Sequence, residues 1–325
     1  MQPIPFFKIT TRDQFEHAAL EAFQKQYAYN TIYRKFCNLL NIVPEEIQQV
    51  YQIPFLPISF FKEHKVLAST QDVQTIFTSS GTTGSATSKH YVTDISLYET
   101  SFTKCFTQHY GDITNYTVLA LLPAYLERTG SSLIYMVDHF IKQSKKRESG
   151  FYLNELDKLA TTLKKLDASG EKTLLIGVSF ALLDLVENYD FQLKNTLIME
   201  TGGMKGRRKE LVREELHEHL QNGFGVVQIH SEYGMTELLS QAYSSGNGIF
   251  TTPPWMDIQI RDTEDALSLV NSGKSGGINV IDLANTNSCP FIATQDLGRK
   301  LDVNRFEVLG RFDQSDIRGC NLMVL

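Results

Sequence analysis

The chain has 325 residues, of which 42% are hydrophobic, so it is long enough for a large buried core and two subdomains. Its 31 basic and 37 acidic residues give a net charge of −6, and the basic residues do not cluster, which argues against nucleic acid or an anionic membrane surface as a partner. The sequence has neither a signal-peptide pattern nor about 18 consecutive apolar residues, and its four scattered cysteines lack CxxC spacing, so we expect a cytoplasmic protein with free thiols and no membrane span.

The first 61 residues predict helices followed by an extended segment. Between residues 11 and 50, apolar side chains such as Phe15, Ala19 and Phe23 recur at helical spacing. Residues 53–61 read IPFLPISFF, and proline fixes its own φ and disfavours helix before it. We therefore expect this second stretch to be extended and packed.

Short runs of β-type residues alternate with helical stretches in the middle of the chain. The runs are Val118–Pro123, Thr173–Ser179, Thr196–Glu200 and Val226–His230. Between them, leucines recur on one helical face at residues 156–166 and again at 211–220. This alternation predicts an α/β fold in which layers of parallel sheet are flanked by helices.

After residue 245 the pattern changes to glycine, proline and short alternating runs, such as Asp257–Asp262 and Gly277–Leu283. Such runs are typical of antiparallel strands. We therefore predict two domains, an α/β part over residues 1–245 and a smaller β-rich part over residues 246–325.

The segment TIFTSSGTTGSATSKH, residues 75–90, places a loop of small and hydroxyl residues after a β-type run. Glycines let the backbone approach a phosphate closely, and successive N–H groups with hydroxyl donors form an anion cradle. The spacing differs from that of a Walker A loop. The structural alternative is a flexible surface loop, because the same composition is common in linkers.

Five motifs in order resemble the adenylate-forming superfamily of acyl-CoA ligases, luciferases and adenylation domains. The segment Ser80-Gly-Thr-Thr-Gly84 resembles the phosphate loop of that family, and Tyr233-Gly-Met-Thr-Glu237 resembles its aromatic-G-x-T-E signature. The other three matches are Gly202-Gly203, which resembles the glycine turn beside the adenine, Asp296, which resembles the ribose-binding aspartate, and Gly310-Arg311-Phe312-Asp313, which resembles the hinge. The resemblance covers nearly the whole chain and implies the fold of the large N-terminal domain of these enzymes.

Within the superfamily the chain resembles the LuxE-like acyl-protein synthetases of bacterial luminescence. Those are short single chains that carry the acyl group on a cysteine near the C-terminus, where this sequence has Cys320. The chain stops twelve residues after Asp313, so we expect the C-terminal lid domain with its catalytic lysine to be absent. A second departure is Lys89, which lies nine residues after Ser80, whereas the family lysine lies seven residues after that serine.

The resemblance implies an ATP-dependent ligase that forms an acyl-adenylate from a fatty acid and then an acyl-thioester on Cys320. Thr236 would contact the α-phosphate, Glu237 would bind Mg²⁺, and Lys89 would assist catalysis. The residues implied to bind ATP are Ser79, Ser80, Gly81, Thr82, Thr83, Gly84, Gly202, Gly203, Tyr233, Gly234, Met235, Asp296 and Arg311. The implied partner is an acyl-CoA-reductase-like protein or an acyl carrier.

Three alternatives remain open from the sequence. A ligase of this type could deliver its acyl group to CoA or to a carrier protein instead of to Cys320. The segment Gly177-Val-Ser179-Phe-Ala181 nearly matches the nucleophile elbow of serine hydrolases and acyltransferases, in which a sharp turn exposes the serine. Finally, the chain could be a non-catalytic adenylate-binding module.

Overall fold

A computed structural model of the chain describes residues 5–79, 87–122, 130–153, 155–202 and 211–312. Within these residues the helices are α1 (Arg12–Tyr29), α2 (Thr31–Leu39), α3 (Phe60–Glu63), α4 (Ile95–Tyr110), α5 (Ser132–Ser144), α6 (Leu156–Ala168), α7 (Ser179–Asn188) and α8 (Arg213–Phe224). Short 3₁₀ helices lie at Phe6–Lys8, Pro44–Glu46, Val50–Gln52, Ile113–Asn115 and Leu283–Asn285. None of the described helices combines the length and the apolar character needed to cross a membrane.

The described residues contain fourteen strands, which are distributed over two compact units of the chain. In chain order they are β1 (Leu56–Pro57), β2 (Thr75–Thr78), β3 (Lys89–Val92), β4 (Thr117–Leu121), β5 (Gly150–Phe151), β6 (Thr173–Val178), β7 (Thr196–Thr201), β8 (His230–Tyr233), β9 (Ala242–Ser244), β10 (Ile249–Thr251), β11 (Met256–Arg261), β12 (Ser275–Asp282), β13 (Phe291–Lys300) and β14 (Arg305–Arg311). The chain divides into two compact units, which we call the continuous unit (Asp72–Pro253) and the split unit (Met1–Gln71 with Pro254–Leu325).

The continuous unit contains a sheet with the strand order β10-β9-β8-β7-β6-β4-β5. Strands β5, β4, β6, β7 and β8 are parallel, and β9 and β10 are added antiparallel. Every residue of β4 and β6 is buried, because α5 packs on β4 while α6 and α7 pack on β6. The predicted α/β fold with a parallel sheet flanked by helices is therefore confirmed.

Helix caps in the continuous unit match their sequences. Helix α4 begins at the N-cap Asp94, whose side chain accepts a hydrogen bond from Ser96 N, and it ends at Gly111. Helix α5 begins at the N-cap Ser131, which accepts from Ile134 N. Helix α8 ends at Gly225, whose φ of 68° lies in the left-handed region that favours glycine.

The split unit contains an antiparallel sheet in the order β11-β12-β13-β14, as the alternating runs after residue 245 predict. Strand β1, from the N-terminal segment, pairs parallel with β13, and Leu56 lies opposite Ile292. Helix α1 is joined to the C-terminal segment by the side chain of Gln26, which donates to the carbonyl of Thr286 at 2.9 Å. The compact units thus differ from the predicted division at residue 245, because residues 1–71 make their contacts with a distant part of the chain.

Two predicted elements differ from the structure. The prediction of a strand over Val226–His230 is wrong in position, since β8 begins only at His230. The segment 53–61 is extended only as far as Pro57, because a turn follows at residues 58–59 and α3 begins at Phe60.

Candidate functional site

Three predicted site segments follow the carboxyl ends of adjacent parallel strands in the continuous unit. Ser179 follows β6, Gly202 follows β7, and the turn Gly234–Glu237 follows β8. Ligands of open α/β sheets bind at this end of the strands, because loops from neighbouring strands converge there. The fold therefore brings the two predicted adenine-flanking segments next to each other.

The turn after β8 presents a tyrosine, a threonine and a buried acid. Tyr233 is 8% exposed, and its ring packs edge-on against Phe250 at 5.9 Å between centroids. A Cβ at Gly234 would overlap the carboxyl oxygen Oε1 of Glu232, so a larger residue here would require the Glu232 side chain to shift. The carboxyl-bearing Glu237 at the end of the turn is 4% exposed.

The hairpin β2–β3 connects the predicted phosphate loop to this turn. At the base of the loop, Ser79 N donates to the carbonyl of Ser88 at 3.1 Å and Ser88 N donates to Ser79 Oγ at 2.9 Å. His90, which lies on β3 two residues after Ser88, is buried, and its Nδ1 lies 2.8 Å from the carbonyl oxygen of Thr236. The two segments that the sequence assigns to phosphates and metal thus meet in one unit. Sequence reasoning missed His90, because a lone histidine in a β-type run carries no distinguishing pattern.

The loop itself lies partly outside the described residues, and so do other predicted positions. These are Ser80, Gly81, Thr82, Thr83, Gly84, Gly203, Asp313 and Cys320. Lys89 is described, and it lies exposed on β3 opposite Thr78. It therefore stands beside the base of the loop, three strand positions from Val92 at the far end of the hairpin.

A buried polar network lies under the end of β7, and the sequence analysis did not anticipate it. Glu200 Oε1 accepts from Arg213 Nη1 at 2.9 Å and lies 3.6 Å from His217 Nε2. Burial alone would raise the pKa of Glu200, but His217 and Arg213 together hold this pKa below its ordinary value. Arg213 Nη1 also donates to Ser231 Oγ at 3.2 Å, which links the network to β8.

On the opposite face of the same strands lies a second acid, Glu232. It stands opposite Thr201 in the strand register, and the Thr201 hydroxyl donates to its Oε2 at 2.6 Å. Burial raises the pKa of Glu232 to about 7, the Thr201 hydrogen bond opposes this rise, and the negative charge of Glu200 adds to it. On the neighbouring residue His230, Nδ1 lies 3.3 Å from the Tyr110 hydroxyl oxygen, so this histidine has a hydrogen-bond partner inside the protein.

The rival nucleophile Ser179 is not placed as an elbow serine would be. It is 2% exposed, and its hydroxyl donates to the carbonyl of Gly202 at 2.8 Å. Gly177, the first glycine of the resembling motif, is explained by packing, because a Cβ there would overlap the Leu182 side chain of α7. These contacts favour a structural use of the motif over an exposed nucleophile.

In the split unit, the two residues predicted to bind ribose are neighbours. Asp296 and Arg311 lie opposite each other on β13 and β14, and Arg311 Nε donates to Asp296 Oδ1 at 3.1 Å. The carboxyl side chain is 10% exposed, whereas the arginine side chain is 77% exposed. The pair therefore presents the buried carboxylate of Asp296 as a hydrogen-bond acceptor beside the solvent-exposed guanidinium of Arg311.

The cysteines of the described residues are buried thiols. Burial raises the pKa of Cys37 to about 12 and also raises that of Cys289, and Cys105 is fully buried in α4. A thiol is a poor nucleophile when its pKa is raised and water is excluded. These three thiols are therefore placed as structural side chains of the core.

The described residues contain no group of three or more histidine, cysteine or acidic side chains that could form a complete metal cage. Glu237 nevertheless fits Mg²⁺, which is usually bound by one or two carboxylates together with substrate phosphates. The contact between His90 and Thr236 brings this carboxyl segment to the predicted phosphate-binding hairpin. A preformed cage is thus not required for the predicted metal.

Comparisons with known proteins agree on one family and one fold. The family model described as "Acyl-protein synthetase, LuxE" matches residues 2–97 and 130–325. The long-chain-fatty-acid–luciferin-component ligase of Vibrio harveyi is 26% identical over 325 residues, an alignment that covers 93% of this chain and 84% of that protein.

Two solved structures show the same fold at low identity. The structure of 2-hydroxyisobutyryl-CoA ligase with its acyl-AMP and CoA has a TM-score of 0.67 at 12% identity, covering 95% of this chain and 71% of that one. ATP-bound MatB from Rhodopseudomonas palustris has a TM-score of 0.57 at 19% identity, covering 75% of this chain and 49% of that one. The chain spans about half the length of the MatB structure.

Proposed function

The chain belongs to the LuxE family of acyl-protein synthetases, and from this membership we propose that it activates a long-chain fatty acid with ATP and Mg²⁺ and carries the product as a thioester on Cys320. The observation that carries the proposal is the 2.8 Å contact between His90 Nδ1 and the carbonyl of Thr236. It joins the strand that leaves the predicted phosphate loop to the turn that bears Glu237. The expected cytoplasmic location is part of the same proposal.

The proposed ATP contacts follow the arrangement of the continuous unit. Ser79 to Gly84 bind the β- and γ-phosphates with backbone N–H groups and hydroxyls, and Lys89 supplies a cation beside them. The Thr236 hydroxyl contacts the α-phosphate. Tyr233 and the Gly202-Gly203 turn flank the adenine. In the split unit, Asp296 accepts hydrogen bonds from the ribose hydroxyls with Arg311 supporting it.

In the first step, a carboxylate oxygen of the fatty acid attacks the α-phosphorus of ATP. The bond from that phosphorus to the bridging oxygen breaks, so pyrophosphate leaves and an acyl-adenylate remains. Since anions are brought together, the protein contributes mainly positioning and fixed hydrogen-bond donors. Mg²⁺ bound by Glu237 would neutralise phosphate charge.

In the second step, the thiolate of Cys320 attacks the acyl carbon. The bond from this carbon to the AMP oxygen breaks, AMP leaves, and a thioester forms. The thioester is then available to an acyl-CoA-reductase-like partner. If the chain instead delivers the acyl group to CoA or a carrier protein, Cys320 is dispensable, so the cysteine distinguishes the two versions.

The proposal is tested by ATP–pyrophosphate exchange and intact-protein mass spectrometry with ATP, Mg²⁺ and a set of fatty acids. We expect the wild-type chain to exchange pyrophosphate and to gain one acyl group that hydroxylamine removes. Cys320→Ala should keep exchange and gain no acyl group, and the matched control Cys105→Ala should behave as wild type because its thiol is buried. Glu237→Gln should lower exchange roughly a hundredfold. Wild-type protein that exchanges with none of the acids, or an acyl adduct that persists in Cys320→Ala, would contradict the proposal.

A further inference from the structure

Helices α7 and α8 and strands β7 and β8 share a buried polar cluster that the proposed chemistry does not use. We call it the Glu200 network, and it consists of Ser179, Glu200, Arg213, His217 and Ser231. Ser179, Glu200, His217 and Ser231 are each at most 6% exposed. The members lie on α7, β7, α8 and β8, so the network connects four elements of the continuous unit.

The network ends on the backbone of the turn after β7. The single hydroxyl hydrogen of Ser179 lies between the Gly202 carbonyl oxygen at 2.8 Å and Glu200 Oε2 at 3.3 Å. Gly202 has a φ of 70°, in the left-handed region that glycine adopts readily. The Ser179 hydroxyl therefore fixes the direction of the Gly202 carbonyl at a point where the backbone turns away from β7.

The same network fixes the end of β8 against the end of β7. Arg213 Nη1 donates to Glu200 on β7 and to Ser231 on β8, two residues that lie opposite each other in the strand register. Ser231 Oγ is also 3.4 Å from His217 Nε2. Two positions further along these strands lie Gly202 and Tyr233, which the proposed function places on the two sides of the adenine.

Stability alone does not account for such a cluster. Replacing a buried ion pair with apolar side chains of similar volume is often neutral or stabilising, because taking charges out of water is costly. The arrangement instead supplies geometry, since one guanidinium bridges two strands and one hydroxyl holds one carbonyl.

We propose that the Glu200 network positions the base-binding surface formed by Gly202 and Tyr233, and that Ser179 and Arg213 are positioning residues for the nucleotide base. This inference rests on the proposed function, because it takes ATP as the ligand. The proposed function assigns no member of the network to the triphosphate, so we expect its effect to be confined to the base end of the nucleotide. Ser179 thereby receives a role that differs from the nucleophile its sequence motif suggests.

The test separates the base from the phosphates. Binding of ATP and of inorganic tripolyphosphate, which has phosphates and no base, is measured by calorimetry for wild type, Ser179→Ala and Arg213→Met. We expect both variants to weaken ATP binding about tenfold or more while tripolyphosphate binding stays within about twofold of wild type. In pyrophosphate exchange, KM for ATP should rise while kcat and KM for the fatty acid stay nearly constant.

Two further variants guard against a folding defect. Arg213→Lys keeps a cation that reaches Glu200 and should recover most of the ATP affinity lost in Arg213→Met. Ser179→Cys keeps the shape of the serine side chain with a much weaker hydrogen-bond donor, so it should also weaken ATP binding, and it replaces Ser179→Ala in the test if the alanine variant does not fold.

Ser144→Ala is the matched control, because Ser144 is a buried serine of the same unit that donates to Ile141 O at 2.9 Å and to Ser149 Oγ at 2.8 Å, within and beside α5. It should bind ATP as wild type does. The inference is overturned if ATP affinity is unchanged in the Ser179 and Arg213 variants, or if tripolyphosphate or the Ser144 control is affected equally. Wild-type protein that binds tripolyphosphate and ATP equally tightly would overturn the role of the base surface alone, whereas wild-type protein that binds neither would refute the proposed function as well.

Discussion

At the scale of single residues, Glu232 places an acid where ionisation is unfavourable. Its carboxyl group accepts a hydrogen bond from the Thr201 hydroxyl, and burial raises its pKa to about 7 from an ordinary value of 4.5. The folded protein therefore binds this proton more tightly than the unfolded chain does. Between pH 4.5 and 7 the carboxyl is largely neutral in the folded state and ionised in the unfolded state.

Glu232→Gln should change how stability depends on pH. A raised folded-state pKa means that the contribution of Glu232 is most favourable at low pH and is lost as pH rises toward 7. Glutamine cannot ionise, so its stability does not fall over this pH range as that of wild type does. The free energy of unfolding of the variant minus that of wild type should therefore increase by on the order of 2 kcal/mol from pH 4.5 to pH 8, a value that already allows for the partial exposure of the side chain. Urea denaturation at a series of pH values measures this difference. Glu218→Gln, at an exposed position of α8, controls for the loss of one negative charge, and parallel curves for wild type and Glu232→Gln would refute the prediction.

At the scale of elements, the C-terminal cap of α8 explains why the strand predicted over Val226–His230 begins later. Gly225 N and Val226 N both donate to the carbonyl of Gln221, at 2.9 and 3.1 Å, so Val226 belongs to the helix cap although it is a β-type residue. Val227 is 89% exposed, and the strand begins only at His230. Local residue preference could not reveal this, because the cap depends on hydrogen bonds donated to a carbonyl four and five residues earlier in the chain.

The same strand shows why polar buried elements escape sequence patterns. Strand β8 reads HSEY, and Ser231 and Glu232 are polar because their partners are Arg213 and Thr201 on neighbouring elements. The strands β6 and β7 were predicted to within two residues, since their runs are apolar and buried. In the candidate site, motifs were enough to single out the hairpin loop and the turn at Tyr233. The motifs gave no sign of His90 or of the Glu200 network, whose members become neighbours only through the fold.

Two glycines that follow helices separate the cost of a positive φ from the cost of steric overlap by an added Cβ. Gly225 after α8 and Gly111 after α4 both have positive φ, but a Cβ would meet the backbone and side chain of Gln192 at 2.9 Å in the first case and nothing within 4 Å in the second. Gly111→Ala should cost about 1 kcal/mol for the backbone conformation alone. Gly225→Ala should cost about 2–3 kcal/mol, because Gln192 must also move. Chemical denaturation of the two variants compares them, and equal losses would show that crowding at Gly225 is relieved without cost.

At the scale of the whole molecule, the split unit is formed from two segments that are distant in sequence. Tyr33 packs on Phe291 at 6.0 Å between ring centroids, and Asn30 Nδ2 donates to the carbonyl of Ser288 at 3.0 Å. The buried carboxyl of Asp257 pairs with Arg12 at 2.9 Å and with Lys300 at 2.6 Å. Sequence composition places a change near residue 245, but it carries no information on which earlier segment completes the later sheet.

The continuous unit should fold when produced alone as residues 72–253, because its sheet and helices are contiguous in the chain. The segments 1–71 and 254–325 should remain largely unfolded when separate. Strand β1 and helix α1 depend on the later segment, and buried side chains of that segment, such as Phe291 and Asp257, are covered by Tyr33 and Arg12 of the first. Circular dichroism and amide-resolved NMR of the three fragments measure this, and mixing the two outer segments should restore dispersion of their spectra. A fragment 254–325 that is fully folded alone would contradict the prediction.

The pairing of Leu56 with Ile292 has a consequence for synthesis on the ribosome. Translation proceeds at roughly 5–20 residues per second, so the 235 intervening residues delay the partner strand by roughly ten to fifty seconds. During that interval the aromatic N-terminal segment, including Phe23 and Tyr33, has emerged without the surface that will cover it. A nascent chain paused before residue 290 should therefore recruit holding chaperones through its first seventy residues, even while the segment that follows them is already folding.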